Sequence, residues 1–341
     1  DRLVIATGSE DNFFGNEELQ HHAVTMKTLT DAMLLRNRLI GLLESAILEE
    51  DAARRRALLT IVVAGGGFAG VETIGALNDF VRGALRWYPT LSASEVRFVL
   101  IHPKGVILPE LGEALGAYAQ KQLIRRQVDI MLNTRVEGYA DGQVRMDSGE
   151  PIASATLIWT AGVTPGKVIA ALPCEKQEGR LVVNEFLELP KHPGVWAIGD
   201  CASAIDAANG RPFPTTAQHA VRQGTTVAQN IVASLADRPP RAFRYKMLGQ
   251  LAAIGRRAGV AQVGGLRFSG WFAWFLWRAV YLFKLPRFEK KVQVAIHWTI
   301  NLFFSQDPAQ LVTPQGIEKA YRSFIDGKSQ LAAASKAEPS R

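Results

Sequence analysis

A chain of 341 residues exceeds one ordinary domain and is long enough for two substantial cores. With 48% hydrophobic and 21% charged residues it is not a disordered chain, and two cysteines without CxxC spacing exclude a disulfide framework and a zinc site. The formal charge of +7 favours an anionic partner without choosing among nucleic acid, phospholipid and a phosphate-bearing cofactor.

The first element is LVIA at 3–6, an apolar run stopped by Thr7-Gly8-Ser9, which reads as a buried strand delivering a tight turn. No basic leader and no long apolar run precede it, so no signal peptide is read; the immediate entry into a strand leads to the expectation that an N-terminal portion precedes Asp1. Residues 28–56 carry Leu29, Met33, Leu34, Ile40, Leu43 and Ile47 broadly on one face, the pattern of one long linking helix with Thr30 or Asp31 as cap. LLTIVVAGGG then gives a second buried strand and a glycine turn, followed by a helix over 68–87 and the strand VRFVLIH, which together make a βαβ unit.

A further helix is predicted over 112–127, and VDIMLN, GQVRM and ATLIWTAG read as strands separated by Asp-Gly and Ser-Gly turns. After Pro165 the texture changes: LVVN, then HPGVWAIGD as a strand entering a loop, then a helix over 216–235 and a break at Arg238-Pro239-Pro240. From Tyr245 onward Gly, Arg and aromatic residues dominate, and two apolar segments, 271–283 and 292–304, precede a small, polar, aperiodic tail.

IVVAGGGFAGVE sets Gly65, Gly67 and Gly70 in GxGxxG register directly after a strand and at the start of a helix, the context that makes this pattern informative. Gly65 permits the tight turn, Gly67 the approach of a pyrophosphate, and Gly70 close packing of helix on strand. The alternative is a glycine turn that merely joins two elements. An NAD-preferring site carries a carboxylate at the end of the second strand, whereas VRFVLIHPKG ends there in His102 with Lys104 nearby, so NADH and NADPH both stay open. Glu72 points back along its helix towards the nicotinamide end of a bound dinucleotide, or simply favours the helix N-terminus electrostatically.

Taken in order, ATGS at 6–9, GGGFAGVE at 65–72, LIWTAGV at 157–163, WAIGDCA at 196–202 and PTTAQHAVRQG at 214–224 resemble the type II NADH dehydrogenases, the single-subunit, non-proton-pumping NADH:quinone oxidoreductases. LAAIGRRAGVAQVGGLRFSGWFAWFLWRAVYLF resembles that family's membrane-binding C-terminal region. The resemblance implies an α/β fold of two Rossmann-type dinucleotide-binding domains, the NAD(P) domain interrupting the FAD domain, plus a C-terminal amphipathic helical membrane-binding region. Mapped here, that gives a partial FAD domain and linker helix at 1–57, the NAD(P) domain at 58–163, the second part of the FAD domain at 164–262, the membrane-binding region at 263–325 and a disordered tail at 326–341.

The same resemblance implies FAD contacts at Thr7, Gly8, Gly199, Asp200, Ala217 and Gln218, NAD(P) contacts at Gly65, Gly67, Gly70, Glu72, His102 and Gly162, and a quinone border at Gln218 and Arg222. Glu72 and Gln218 are the candidate catalytic positions, and no metal is expected. Only one glycine fingerprint is present, and the main site for the ADP half of FAD has no counterpart in the sequence. A truncated or degenerate, non-catalytic nucleotide- and membrane-binding relative is therefore the alternative. A second alternative, a sulfide:quinone oxidoreductase-like flavoprotein, rests on Cys174 and Cys201, which the context instead reads as unreactive, Cys174 on a surface loop.

The longest uncharged apolar stretch near the C-terminus is shorter than the roughly 18–20 residues of a spanning helix. Trp271, Trp274, Trp277 and Tyr281 favour a lipid–water interface, and Arg267, Arg278, Lys284, Arg287, Lys290 and Lys291 reach headgroups. The positive charge is thus assigned to an anionic lipid surface and not to nucleic acid. The expectation is a monotopic protein on the cytoplasmic face of a bacterial inner membrane, delivering electrons to a membrane quinone; a homodimer contact is the other use of these helices.

Overall fold

A computed structural model describes residues 1–303. The strand Leu3–Ile5 runs parallel to Val195–Ala197, with Leu3 opposite Val195 and Ile5 opposite Ala197, so two motifs from opposite ends of the first 200 residues form one unit. Helix α1 (Glu17–His22) follows, and α2 (Leu29–Leu48) starts from a capping box in which Thr28 accepts the Asp31 N–H while Asp31 accepts that of Thr28. The cap is thus Thr28, with Asp31 as its partner. The single long helix expected to residue 56 stops at Leu48: Asp51 accepts the Arg54 N–H and caps a separate helix, α3 (Ala52–Leu58).

The central sheet is wholly parallel, in the order Val24–Thr25, Thr156–Trp159, Thr60–Ala64, Arg97–His102, Val128–Leu132. Crossovers through α4 (Phe68–Ala84) and α5 (Glu113–Arg125) join its last three strands, as the βαβ pattern anticipates. Alternation along each strand divides the interior in two. Ile61, Val63, Phe98, Leu100 and Ile158 pack with α2, α4 and α5, while Val62, Ala64, Val99, Ile101, Leu157 and Trp159 pack with Tyr139, Val144 and Ile152 of an antiparallel sheet on the other face. Both faces being covered is why these strands read as continuous apolar runs.

A second core gathers Ile169 of α6 (Lys167–Ala171), Leu181, Trp196, Cys201, Phe213, Phe243 and Val227 of α7 (Ala217–Leu235). Beyond it lies an element the sequence reading missed, the antiparallel sheet Gly249–Ala253, Gly259–Val263, Leu266–Ser269, its second turn made by Gly264 and Gly265, both at positive φ. The expected boundary between 262 and 263 falls inside this sheet. Moreover, Ala252, Ile254, Ala258 and Val260 belong to the core of the nucleotide unit, against α4, not to the second core.

Helices α8 (Gly270–Lys284) and α9 (Phe288–Phe303) follow, and no helix among the described residues is long and apolar enough to cross a membrane. The end of the expected membrane-binding region and the expected tail at 326–341 lie outside the described residues.

Candidate functional site

The buried strand Thr60–Ala64 delivers the chain into Gly65, Gly66 and Gly67, and α4 begins at Phe68. Gly65 has φ +111°, and a Cβ there would lie 2.8 Å from the Thr160 backbone. Gly70 is tighter still, since its Cβ would lie 1.7 Å from the Gly65 carbonyl oxygen. At Gly67, by contrast, a Cβ would meet nothing within 4 Å. Gly67 occupies the N-cap of α4 without a side-chain cap, so the N–H groups of the first turn are left for a ligand. Thr160 Oγ1 donates to the Ala64 carbonyl at 2.8 Å and secures the loop from behind.

His102 supports this loop from beneath. The residue is 7% exposed, and Nδ1 accepts the Gly66 N–H at 3.0 Å, which places the ring proton on Nε2. Burial, with Lys104 nearby, holds its pKa below the usual histidine range, and Nε2 is buried without a partner among the described residues. His102, expected to contact the nucleotide, here contacts the loop that is expected to hold it. Gly162 lies where the strand Val163–Thr164 leaves the nucleotide unit; its carbonyl accepts the Asn12 N–H at 3.0 Å and its Cα faces Phe14.

Glu72 turns towards the C-terminal region. Its Oε1 accepts the Ala253 N–H at 3.0 Å and the Trp277 indole N–H at 2.9 Å, joining α4 to the antiparallel sheet and to α8. Burial raises its pKa, and these two bonds oppose the rise.

A second constellation forms at the carboxyl ends of the Leu3–Ile5 and Val195–Ala197 strands. Thr7 is exposed, and Gly8 makes the turn at φ +69°. Ser9 Oγ donates to Asp200 Oδ2 at 2.8 Å and accepts from Lys27 Nζ at 2.8 Å. Gly199, at φ +71°, donates its N–H to Gln223 Oε1 at 2.7 Å. Gly199, Thr216, His219 and Gln223 line a small cavity at the start of α7, where Ala217 opens a helix with no side-chain cap. Gln218 donates to the Gly249 carbonyl and accepts from the Tyr245 hydroxyl, both at 2.8 Å, and the Arg222 guanidinium lies 4.2 Å over the Tyr245 ring.

The structure therefore brings Asp200, Gly199 and Ala217 to one rim and Gln218 with Arg222 to one knot around Tyr245. Sequence reasoning missed Ser9, Lys27, His219, Gln223 and Tyr245. Ser9 ends the ATGS motif and His219 and Gln223 sit within PTTAQHAVRQG, so proximity to motifs is the one signal that could have found them.

The cysteines are core residues. Cys201 is fully buried with its Sγ 3.2 Å from the Ile198 carbonyl, and Cys174, expected on a surface loop, is half-buried against the same core. Neither is in a disulfide, and no group of His, Cys, Asp and Glu able to hold a metal occurs among the described residues.

One strand–glycine turn–helix in a parallel sheet, beside a second rim at the carboxyl ends of the strands Leu3–Ile5 and Val195–Ala197, defines a class, and residues 1–224 match the family model of the pyridine nucleotide-disulphide oxidoreductases. Residues 247–307 match the NDH2 C-terminal domain. The chain is 33% identical to the type II NADH:quinone oxidoreductase NdhA of Mycobacterium tuberculosis, over 99% of this chain and 74% of that protein. It is 30% identical to a probable NADH dehydrogenase of Dictyostelium discoideum, over 90% of this chain and 68% of that protein. The solved structure of NDH2 from Plasmodium falciparum in complex with NADH shares the fold at a TM-score of 0.83, covering 91% of this chain and 79% of that one at 17% identity. The chain belongs to the type II NADH:quinone oxidoreductase family, whose cofactors are FAD and NADH.

Proposed function

We propose that this chain oxidises NADH and reduces a membrane quinone through FAD without pumping protons, with the nicotinamide nucleotide held at Gly65, Gly67 and Gly70. The geometry of that loop carries the reading: Gly65 and Gly70 close the turn, and Gly67 alone leaves open space in front of an uncapped helix. A pyrophosphate fits there because backbone N–H groups and the positive end of the helix face it. The residues at the second rim also suit a flavin: Asp200 offers acceptor oxygens to a polyol, and the uncapped start of α7 at Ala217 offers N–H donors.

When bound, the flavin supplies the hydride acceptor and passes electrons on. The protein's own groups orient and shield. Thr7 and Gly8 shape the turn beside Asp200, Gln218 and Arg222 border the quinone, and Glu72 fixes α4 against α8 so that nucleotide and quinone sides keep their spacing. No side chain serves as a nucleophile.

The C-terminal helices supply the route to a lipid-soluble acceptor. Trp271, Phe272, Phe275, Phe283 and Phe288 are exposed, an apolar surface flanked by Lys284, Arg287, Lys290 and Lys291. We place this face on the anionic leaflet of a membrane, the cytoplasmic side of a bacterial inner membrane.

The test is reduction of a short-chain quinone by NADH, with FAD supplied, comparing the wild type with Gly67→Val. Quinone-dependent loss of NADH absorbance in the wild type, reduced at least about tenfold in the variant, is expected. NADH binding without any quinone reduction would instead favour the non-catalytic reading.

A further inference from the structure

On the edge of the parallel sheet opposite the glycine loop lies a cleft of about 700 Å³ that the proposed reaction does not use. It opens where three strands begin: Leu59 precedes the strand Thr60–Ala64, Val96 precedes Arg97–His102, and Gln127 precedes Val128–Leu132. A strand rises about 3.3 Å per residue, so the length of Thr60–Ala64 separates the cleft from Gly65 by on the order of 15 Å.

Arg55 and Arg56 of α3, Arg82 near the end of α4 and Arg97 line the cleft, against the carboxylates Glu95 and Asp129. Each carboxylate is matched to one guanidinium: Arg55 Nε donates to Glu95 at 2.9 Å and Arg97 Nε to Asp129 at 2.8 Å. Arg56 and Arg82 are left in excess. Among the described residues, half-buried Arg82 donates only to neutral acceptors, Asn78 Oδ1 at 2.8 Å and the Ala93 carbonyl at 3.0 Å. Burial holds its pKa below the usual arginine range. The exposed Arg56 side chain has no hydrogen-bond or ion-pair partner among the described residues.

A partly desolvated guanidinium without a counter-ion carries a penalty that an incoming anion relieves. Its planar fork of five N–H donors matches phosphoryl oxygens in bidentate fashion. Ser94 and Gln127 add neutral polar groups, and among the described residues no aromatic ring lines the cleft to stack a base. We infer that this cleft binds a compact polyanion with two phosphoryl groups, a diphosphate or bisphosphate, at a site separate from the nicotinamide site. Its two unmatched guanidinium groups set the ligand's charge, and the missing aromatic ring sets its lack of a base. The inference does not rest on the proposed reaction, since a chain inactive towards quinone still tests it.

The experiment is isothermal titration of the full chain with sodium pyrophosphate. Saturable binding is expected in the wild type, weakened about tenfold by Arg56→Glu, which removes no bond of the fold. Arg82→Gln should weaken it comparably, with circular dichroism checking that the variant is folded. Gly67→Val, altered at the opposite sheet edge, should leave pyrophosphate affinity within about twofold, and Arg56→Glu should leave NADH affinity, read by nucleotide fluorescence, unchanged. No saturable heat in the wild type overturns the inference. So does the reverse pattern, affinity lost in Gly67→Val and kept in Arg56→Glu, which would place pyrophosphate at the dinucleotide loop. A soluble short-chain phosphatidate that binds the cleft more tightly than pyrophosphate would make the ligand a lipid head and overturn its assignment as a free diphosphate.

Discussion

One added methyl group separates the work of the glycines in a single loop. Gly70→Ala drives a Cβ into the Gly65 carbonyl, a backbone atom that cannot swing aside, so the loop must deform. The expected result is a lower melting temperature, from a destabilisation of about 1–3 kcal/mol, together with lost NADH binding. Gly67→Ala meets nothing within 4 Å, so thermal unfolding should be unchanged while NADH affinity falls because the methyl occupies the ligand's approach. Glu72 gives a pH signature. Its pKa is raised in the fold by burial, so the folded state holds the proton more tightly than the unfolded chain. This contribution to stability is complete below the ordinary carboxylate range and is lost as pH rises through the raised value. Glu72→Gln keeps an acceptor for Ala253 and Trp277 and should flatten that slope in thermal melts across pH. Glu72→Ala leaves both donors unpaired, and a loss of about 1–3 kcal/mol is expected.

Among the elements, α8 and α9 carry the membrane reading. Arg278 lies over Trp274 at 4.0 Å and over Trp298 at 4.9 Å, so this cation is tied up inside the hairpin. Lys284, Arg287, Lys290 and Lys291 cluster where the two helices meet, and each near an anionic leaflet contributes on the order of 1 kcal/mol. Reversing Arg287 and Lys290 to Glu should abolish flotation with anionic liposomes at low salt. In the wild type, flotation should weaken but persist at high salt, because the exposed rings contribute independently of charge. Absence of flotation at either salt would leave the hairpin to a protein contact. The α2–α3 break was not legible for a different reason: no Gly or Pro interrupts residues 48–57, and only the Asp51 cap marks the new start.

At the scale of the molecule, the C-terminal sheet is fastened to the nucleotide unit through Asp79 of α4. Its carboxylate accepts from Arg126 Nη1 at 2.6 Å and from the Arg256 backbone N–H. Asp79→Ala should expose residues 249–269 to proteolysis and raise their amide exchange, while the glycine loop keeps its protection. If both regions loosen together, the two units form one cooperative body. The same attachment explains why the sheet runs across the boundary expected at 262: Ala252, Ile254 and Val260 join the core that α4 helps to build, while α8 packs against the strands of the sheet.

By itself the sequence determined what local chemistry controls. The run TIVVA, three glycines and an apolar helix dictate a strand, a turn and an open helix N-terminus, because each requirement is met within a few residues. Tertiary structure alone decided where the side chains of that frame point. Glu72 meets Trp277, Gln218 meets Tyr245, Ser9 meets Asp200, and His102 turns under Gly66. Each of these hydrogen bonds joins segments well apart in the chain, and no period or spacing encodes them. They are selected when packing brings donor and acceptor together, the Gly66–His102 bond fully buried and the other three partly so.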